Sequence, residues 1–545
     1  MRYPFAAPLV PYAMMRTLLL SCAIAAAIGD LAAQSNSRGP GYDAQLSEIS
    51  SARAWGRRGA AYPNGEVGVS FQNQLCNPGT INIEWKAPML PDHPKFGFLV
   101  VRAVDGRLVQ VSDWSYCKHA FYALSSPSVC GGTCQSTNGS QLGVSCSDIY
   151  SNSNNASRTY LGPPAEIDPW LGTWNPVGSY FDVGDPQTGL GPADGVRSLN
   201  TSGFDNVKNR VTIREQDLVG AANGSLFFQI FVICEGEPVT NRGDNIRSRP
   251  FNLNWSGTSW SASTTGTSSY GSVLSRWTGA QLGMGQNGND DGRFEVAVKV
   301  SGPVDGKWHY EYAVLNIDNS RGGATFRLPV CDGASVTNLG FRDIDQDPLN
   351  NWTANVANGE IVWSAPGGNP HNWNQLFNFW FDSDVAPVAG AATIDQARMG
   401  AGALSLTVPT QVPGLQPALS LGAGCATPSL TLVANGVPSA GNTAFGLNVL
   451  GAPNTGLFAF YSFGGANTVL APGCTQFLSN ATVGTHGFLF TDAAGRATIP
   501  LGVPAGFAPT DLYWQAAQIE ANGPLFGMLG LSNGLLVRLS GTGCR

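Results

Sequence analysis

The sequence predicts an all-β fold: a β-sandwich or jelly-roll-like main region followed by a second, smaller β-sandwich domain. Three observations predict it. The chain holds 68 Gly and 35 Pro, with 12% charged and 10% aromatic residues, a balance that suits many short strands joined by tight turns rather than helices. In Asp305-Gly-Lys-Trp-His-Tyr-Glu-Tyr-Ala-Val-Leu-Asn316, alternation puts Trp308, Tyr310, Tyr312 and Val314 on one face and His309 and Glu311 on the other. Its flanks alternate too: Arg293 to Val300 precedes it across a short loop, and Asn319-Ser-Arg-Gly-Gly323 turns the chain into Ala324 to Val330. Together these runs predict a three-stranded meander at the centre of a sandwich.

Taken in order, residues 1–33 read as an export signal. Arg16 supplies the positive charge, Thr17 to Ile28 is an apolar run too short to span a bilayer, and Leu31-Ala-Ala33 offers small residues to a signal peptidase. No later stretch has eighteen uninterrupted apolar residues, so no further membrane span is expected. Residues 34–61 are polar and Ser-rich and read as a flexible leader. The main region, 62–395, opens with strands at Val67 to Phe71, Ile81 to Trp85 and Phe96 to Arg102, the last handed by an Asp105-Gly106 turn to Leu108 to Val111. The mixed polar and aromatic stretch Ser112 to Leu124 is expected to carry or cover a site. From Ser125 to Asn206 apolar runs are few, and a segment that long is expected to be functional or clamped by disulfides. Leu226 to Cys234 is apolar on both faces, as a doubly covered central strand requires. Glu360 to Trp363 and Leu376 to Asp382 close the region, which has strands enough for two sandwich lobes.

Residues 396–420, with Val408-Pro-Thr-Gln-Val-Pro-Gly-Leu-Gln-Pro417, have the proline spacing of an extended linker. Residues 421–545 carry few charges, and their strands alternate with Gly/Pro turns. They read as an accessory module for adhesion or surface display. Removing Cys22 with the signal leaves Cys76, Cys117, Cys130, Cys134, Cys146, Cys234, Cys331, Cys425, Cys474 and Cys544, and an even set in an exported chain predicts disulfides. A zinc site from Cys130, Cys134, Cys146 and a histidine is the alternative for part of that set.

Five histidines occur, and His93, His119 and His309 fall in motif-like stretches. Imidazole is the commonest ligand for copper and zinc, so these three on neighbouring strands could form one metal site, with Glu311 or Asp148 as an outer acceptor. Alternatively each is a hydrogen-bonded core or turn residue. A third reading is a metal-free acid/base site of His309, Glu311 and Tyr310 or Tyr312, suited to a polysaccharide lyase or hydrolase. Asp343, Asp345 and Asp347, and the run Asn287 to Asp291, have the oxygen spacing of calcium loops without completing an EF-hand, so structural calcium is an open expectation. The net charge of -7 excludes a basic nucleic-acid footprint. No Gly-x-Ser-x-Gly elbow, P-loop, His-Glu-x-x-His or dinucleotide fingerprint appears, so no nucleotide cofactor is expected.

Asp92-His93-Pro94, Lys118-His119-Ala-Phe121, Gly143-Val-Ser-Cys146-Ser-Asp148-x-Tyr150, Leu161-Gly-Pro163 and Trp308-His-Tyr-Glu-Tyr312 resemble a family of exported planctomycete proteins of no established biochemical function. The resemblance covers about residues 65–395, and the last domain is similar to β-modules appended to exported planctomycete proteins. It implies a compartment and no reaction. The chain departs from the family pattern at Ala120 and at Pro164, where an arginine is expected, so an anion-binding role is not carried over. Two function classes stay open: an exported metal-dependent enzyme acting on extracellular substrate, and a non-catalytic surface protein that binds carbohydrate or extracellular polymer.

Overall fold

The computed structural model describes residues 36–539 except 87–88, 128, 184–191, 223, 288–290, 332–333, 346, 358, 415–417, 436–437 and 439. The signal-like segment 1–33 lies outside the described residues. Among the described residues the main region has four large antiparallel sheets, separated by three apolar cores, and a two-stranded sheet of Ile83–Glu84 with Gln141–Leu142. The first sheet holds strands Gln45–Gly59, Gly65–Cys76 and Val211–Arg214, with Ser147–Tyr150 pairing the second of these. The second runs in the order Trp260–Thr264, Ile246–Trp255, Leu226–Ile233, Lys95–Val104, Cys117–His119, Leu161–Gly162, with Arg107–Gln110 pairing Lys95–Val104. The third runs Gln281–Gln286, Arg293–Val304, Lys307–Asn316, Gln375–Ser383, Val336–Arg342. The fourth runs Thr353–Ala357, Glu360–Ser364, Gly323–Pro329, Pro387–Gln396, Ser405–Pro413.

Side-chain alternation decides which core each residue enters. On Lys95–Val104, Phe96, Phe98 and Val100 enter the core against the first sheet, whereas Leu99 and Val101 enter the core against the third. On Lys307–Asn316, Tyr310, Tyr312 and Val314 face the fourth sheet, and Ala313 and Leu315 face the second. Both inner sheets are therefore covered on both faces, and two sandwiches stand back to back. Leu226–Ile233 behaves as its composition predicts, with Phe228, Ile230 and Val232 in one core and Phe231 and Ile233 in the other.

Amide side chains cross the seam between the inner sheets. Gln110 Oε1 accepts from Leu376 N (2.8 Å), Asn374 Nδ2 donates to Phe98 O (2.9 Å) and Asn378 Nδ2 donates to Leu108 O (3.1 Å). These bonds lie inside apolar surroundings, where a missing partner would cost about 1–3 kcal/mol each. They fix the register of one sandwich on the other.

The expected three-stranded meander is corrected: Arg293–Val304 and Lys307–Asn316 pair, but Gly323–Pro329 crosses to the fourth sheet, between Glu360–Ser364 and Pro387–Gln396, and Gln375–Ser383 takes its place. Two boundaries also differ from the sequence reading. The leader 34–61 contains a 15-residue strand, Gln45–Gly59, paired along its length with Gly65–Cys76. Its Ser and Arg residues misled because they take the less buried positions, while Leu46 and Ile49 are fully buried. The linker 396–420 contains strand Ser405–Pro413, the edge of the fourth sheet, with Leu406, Val408 and Val412 in the core. Proline lacks the N–H a central strand must donate but is tolerated on an edge, so proline spacing alone could not separate linker from edge strand.

The first part of the Ser125–Asn206 segment, up to Cys146, is clamped by disulfides. Cys76–Cys130 and Cys134–Cys146 are disulfides, which removes the zinc alternative for Cys130, Cys134 and Cys146. Cys425–Cys474 staples the last domain, and Cys331 is also disulfide-bonded. That domain packs a sheet ordered Ala418–Ser420, Leu535–Leu539, Thr510–Gly523, Gly456–Ser462, Gly484–Phe490 against a smaller one ordered Thr431–Ala434, Gly446–Leu450, Arg496–Pro500.

Cys117 and Cys234 are free and buried. Alkylation of the native protein should therefore leave both untouched, and alkylation after denaturation without reductant should modify them while sparing Cys76, Cys130, Cys134, Cys146, Cys425 and Cys474. Peptide mass spectrometry reads the outcome, and labelling at any of those six counts against the assigned bridges.

Candidate functional site at the seam between the sandwiches

His309 and Glu311 lie on the face of Lys307–Asn316 that turns toward the second sheet, opposite Tyr310 and Tyr312. Cross-strand register builds two rows around them: Ser301, His309 and Asp382 in one, and Lys299, Glu311 and Trp380 in the next. His309 Nδ1 meets Asp382 Oδ1 at 2.7 Å, and Nε2 lies 3.4 Å from Glu311 Oε2. Glu311 Oε2 also accepts from Arg107 Nε at 2.7 Å, and the Arg107 guanidinium stacks 3.6 Å over the Trp380 ring. Gly340 lets that indole lie flat, because a Cβ there would fall 2.0 Å from it. Asp105, Arg107, Lys299, Ser301, His309 and Glu311 line a cleft of about 360 Å³.

The electrostatics follow from these partners. The bond to Glu311, then that to Asp382, raises the His309 pKa above the usual histidine value. The imidazolium is thus favoured, half-exposed at the cleft. Glu311 is 4% exposed, and its Oε1 has no hydrogen-bond partner among the described residues. Lys299 extends over Trp277 with its ammonium 5.1 Å from the ring.

Tyr310 does not join this site. Its hydroxyl donates to Val385 O (2.8 Å) in the core against the fourth sheet, and Tyr312 donates to Gln411 O (2.7 Å). Period-two alternation already forbids neighbours on one strand from sharing a face, so the grouping of Tyr310 with Glu311 as a catalytic pair is corrected by geometry.

The three candidate metal ligands divide into two places. His93 and His119 are fully buried and bonded to each other, Nε2 to Nδ1 at 2.8 Å. Because His93 Nδ1 must donate to Leu90 O (2.6 Å), its Nε2 accepts from His119 Nδ1–H, which leaves His119 Nε2 a bare acceptor. Burial drives both pKa values well below the ordinary histidine range, and nearby Lys95 adds to the effect. Lys95 itself is pulled down to about 8 by burial and donates to Pro91 O and Gly172 O. Trp174 packs edge-on against both rings, and Phe181 against His119.

His309 lies elsewhere for a topological reason. His119 pairs with Lys95 at one end of strand Lys95–Val104, whereas Arg107, which reaches Glu311, pairs with Val104 at the other. Nine steps of about 3.3 Å put roughly 30 Å between those ends. The expectation that His119 and His309 meet at one rim is corrected accordingly. Among the described residues no group of three or more His, Cys, Asp or Glu side chains is placed to hold a metal ion.

The remaining motif residues organise the fold. Tyr150 Oη accepts from Trp85 Nε1, Phe121 N and Tyr122 N and donates to Tyr122 O. Asp148 Oδ1 accepts from Leu124 N rather than orienting His119, and burial raises its carboxyl to about 7. The calcium candidates are turn-formers: Asp343, Asp345 and Asp347 each accept from the backbone N two residues on, at 3.1, 2.7 and 3.0 Å. Asp291 is held by Arg321 at 2.9 Å.

Arg107, Lys299, Trp380 and Asp382 were not singled out from sequence. The Asp105-Gly106 turn marked the hairpin that carries Arg107, but nothing local announced which strand it would face.

Two histidines should give pH dependences of opposite sign. His371, buried against Phe377 with its pKa pushed down to about 3 by burial, is neutral in the fold but takes a proton on unfolding below about pH 6.5. The stability advantage of wild type over His371→Gln should shrink as pH falls below that point, by roughly 1.4 kcal/mol per pH unit. His309 has a raised pKa, so its contribution is complete below the unfolded value and is lost as pH rises through the folded one. The advantage over His309→Gln should therefore shrink as pH rises above neutral. Denaturant titrations across a pH series measure both, and equal slopes would refute the assignment.

No family model matches the chain. No curated protein matches it either. Among solved structures, the major pilin subunit of Bacillus cereus is similar at 9% identity and a TM-score of 0.17, over 62% of this chain and 85% of that one.

Proposed function

We propose that this is an exported, non-catalytic protein of the cell surface that binds extracellular polymer, carbohydrate above all, in the seam cleft. The supporting observation is the lining of that cleft. Arg107, Lys299 and His309 supply donors, Asp105 supplies acceptors and Ser301 a hydroxyl, a mixture that suits the paired donor and acceptor demands of a hydroxyl-rich ligand. Export is supported by the disulfides, which persist in oxidising compartments, by the signal-like residues 1–33, and by the motif resemblance to exported planctomycete proteins. No helix among the described residues is long and apolar enough to cross a membrane.

A metal-free hydrolase or lyase is the second reading, favoured by one feature: His309, held by Asp382 and with its pKa raised, has the proton a general acid at the cleft would donate. The metal-dependent reading has less support. Two ligands each 2.0–2.1 Å from a tetrahedral ion sit about 3.3 Å apart. His93 and His119 are closer than that at 2.8 Å, with a proton between them.

Affinity electrophoresis of the exported protein through gels containing acidic and neutral polysaccharides tests the proposal. Retardation on at least one polymer is expected, reduced at least tenfold in affinity by Lys299→Ala, with no new reducing ends or unsaturated termini. Polymer cleavage lost in His309→Ala would favour the enzyme reading, and absence of retardation on every polymer would remove the binding one.

The Arg107–Glu311 bridge makes a separate prediction. Arg107→Ala leaves the buried Glu311 carboxylate with His309, 3.4 Å away, as its remaining partner and should cost about 2–4 kcal/mol, whereas Arg107→Met with Glu311→Leu should cost less, because the carboxylate is then removed together with the guanidinium that compensated it. Urea unfolding midpoints decide between these orders.

A further inference from the structure

We propose that the first sheet carries a second binding site, an oxyanion site around Trp55 that takes the sulfate or carboxylate groups of an acidic polysaccharide. It goes beyond the seam reading and rests on different residues. Val67, Val69 and Phe71 enter the first core, so Ser70 and its cross-strand partner Arg53 take the opposite face. Trp55 is the extra residue of a bulge between the pairs Ala54–Val69 and Gly56–Gly68, and its Nε1 donates to Ser70 Oγ (2.8 Å). Two guanidiniums lie over that indole, Arg53 at 3.9 Å and Arg210 at 4.4 Å from the ring centre, which puts them within about 8 Å of each other.

Arg210 shows what the cluster lacks. Among the described residues four arginines are buried: Arg210, Arg242, Arg293 and Arg321. Arg242 and Arg293 face Asp318, and Arg321 faces Asp291. Arg210 has no ion-pair partner among the described residues: its Nε donates to Ala156 O (3.2 Å), its Nη1 to Asn206 O (2.7 Å) and its Nη2 to none of them. Arg158 is also without an ion pair there, its Nη1 donating to Phe204 O (2.7 Å) and to Asp205 O. The two side chains thus hold three consecutive carbonyls and stand side by side. Burial, then Arg158 and Arg53, lower the Arg210 pKa to about 10. The acids beside the cluster are engaged. Asp205 accepts from Val207 N and Lys208 N, both at 2.7 Å, and faces Arg58 at 3.8 Å, while Arg58 holds Glu66 at 2.7 Å. A buried cation without a counter-charge costs stability, and a ligand oxyanion supplies that charge. Planar guanidinium N–H groups match the oxygens of sulfate and carboxylate. Arg53 is exposed beside Arg210, so a second charged group along the same polymer also meets a cation. The net charge of -7 opposes a continuous polyphosphate, whereas a polymer with spaced charges needs only this local cluster.

Biolayer interferometry of the full-length exported protein on dextran sulfate, carboxymethyl dextran and neutral dextran tests the site, with inorganic sulfate as competitor. Saturable binding to a charged dextran and none to neutral dextran is expected. Arg53→Gln, at an exposed position, and Arg210→Met should each weaken it about tenfold, whereas Arg538→Gln, the same charge loss in the last domain, should change it by less than about twofold. Equal losses in Arg53→Gln and Arg538→Gln would mean diffuse attraction and overturn the proposal, as would no binding to either charged dextran. Loss in Lys299→Ala rather than in Arg53→Gln places the acidic polymer in the seam and also overturns it. Inorganic sulfate binding as tightly as the polymer makes a free anion the ligand, and tighter binding of a single-stranded oligonucleotide of equal charge makes it a nucleic acid. A gain of binding in Asp185→Asn assigns the missing counter-charge to this chain. Each of these three results likewise counts against the assignment.

Discussion

Double burial of the two inner sheets is the constraint on which the rest of this structure depends. A sheet covered on one face can leave polar side chains to water, but the second and third sheets have no such face. Their strands therefore carry long apolar runs, and each polar side chain within the seam must find a partner across it. Gln110, Asn374 and Asn378 reach backbone groups of the opposite sandwich. These contacts are directional, so they determine how the sandwiches sit, whereas the apolar cores on either side determine only that they pack.

The same constraint shapes the candidate site. Arg107 and Glu311 meet where the seam opens, and the pair combines two roles. It closes the end of the buried interface and it lines the cleft. A carboxylate as buried as Glu311 needs a cation, and the guanidinium that supplies it is fixed by Trp380, which in turn requires the missing side chain at Gly340. His309 owes its raised pKa to the carboxylates that this arrangement and Asp382 bring to it. Its chemistry is a product of the seam rather than of its own strand.

The His93–His119 pair shows the opposite outcome for the same residue type. In a fully buried setting beside Lys95, with Trp174 packed on both rings, neutrality is enforced and the two imidazoles satisfy one another. The motif stretches that suggested a site thus divide into a structural cluster beside Trp174 and Phe181, on the face of the second sheet that turns to the third, and a polar cleft about 30 Å away by strand length. Tyr150 and Asp148 belong to the first kind, their polar atoms engaged by the backbone of 121–124.

Local patterns determined much of this protein. Alternation along 307–316 and 293–300 gave the central strands and the facing of Tyr310, Tyr312 and Val314, because the two-residue period of a strand is a property of the backbone. The apolar run at 226–233 gave a doubly covered strand, and the cysteine set gave disulfides in the Gly-rich segment. Two polar or proline-bearing stretches, Gln45–Gly59 and Ser405–Pro413, were illegible because an edge strand needs only half its residues buried and tolerates the composition of a loop. Tertiary structure alone decided which strands face each other across the seam. The partners of His309, the separation of His119 from it, and the arginine cluster around Trp55 all join residues tens to hundreds of positions apart. Sequence spacing fixes which side of a strand a side chain takes, but which strand it meets depends on how the sheets stack.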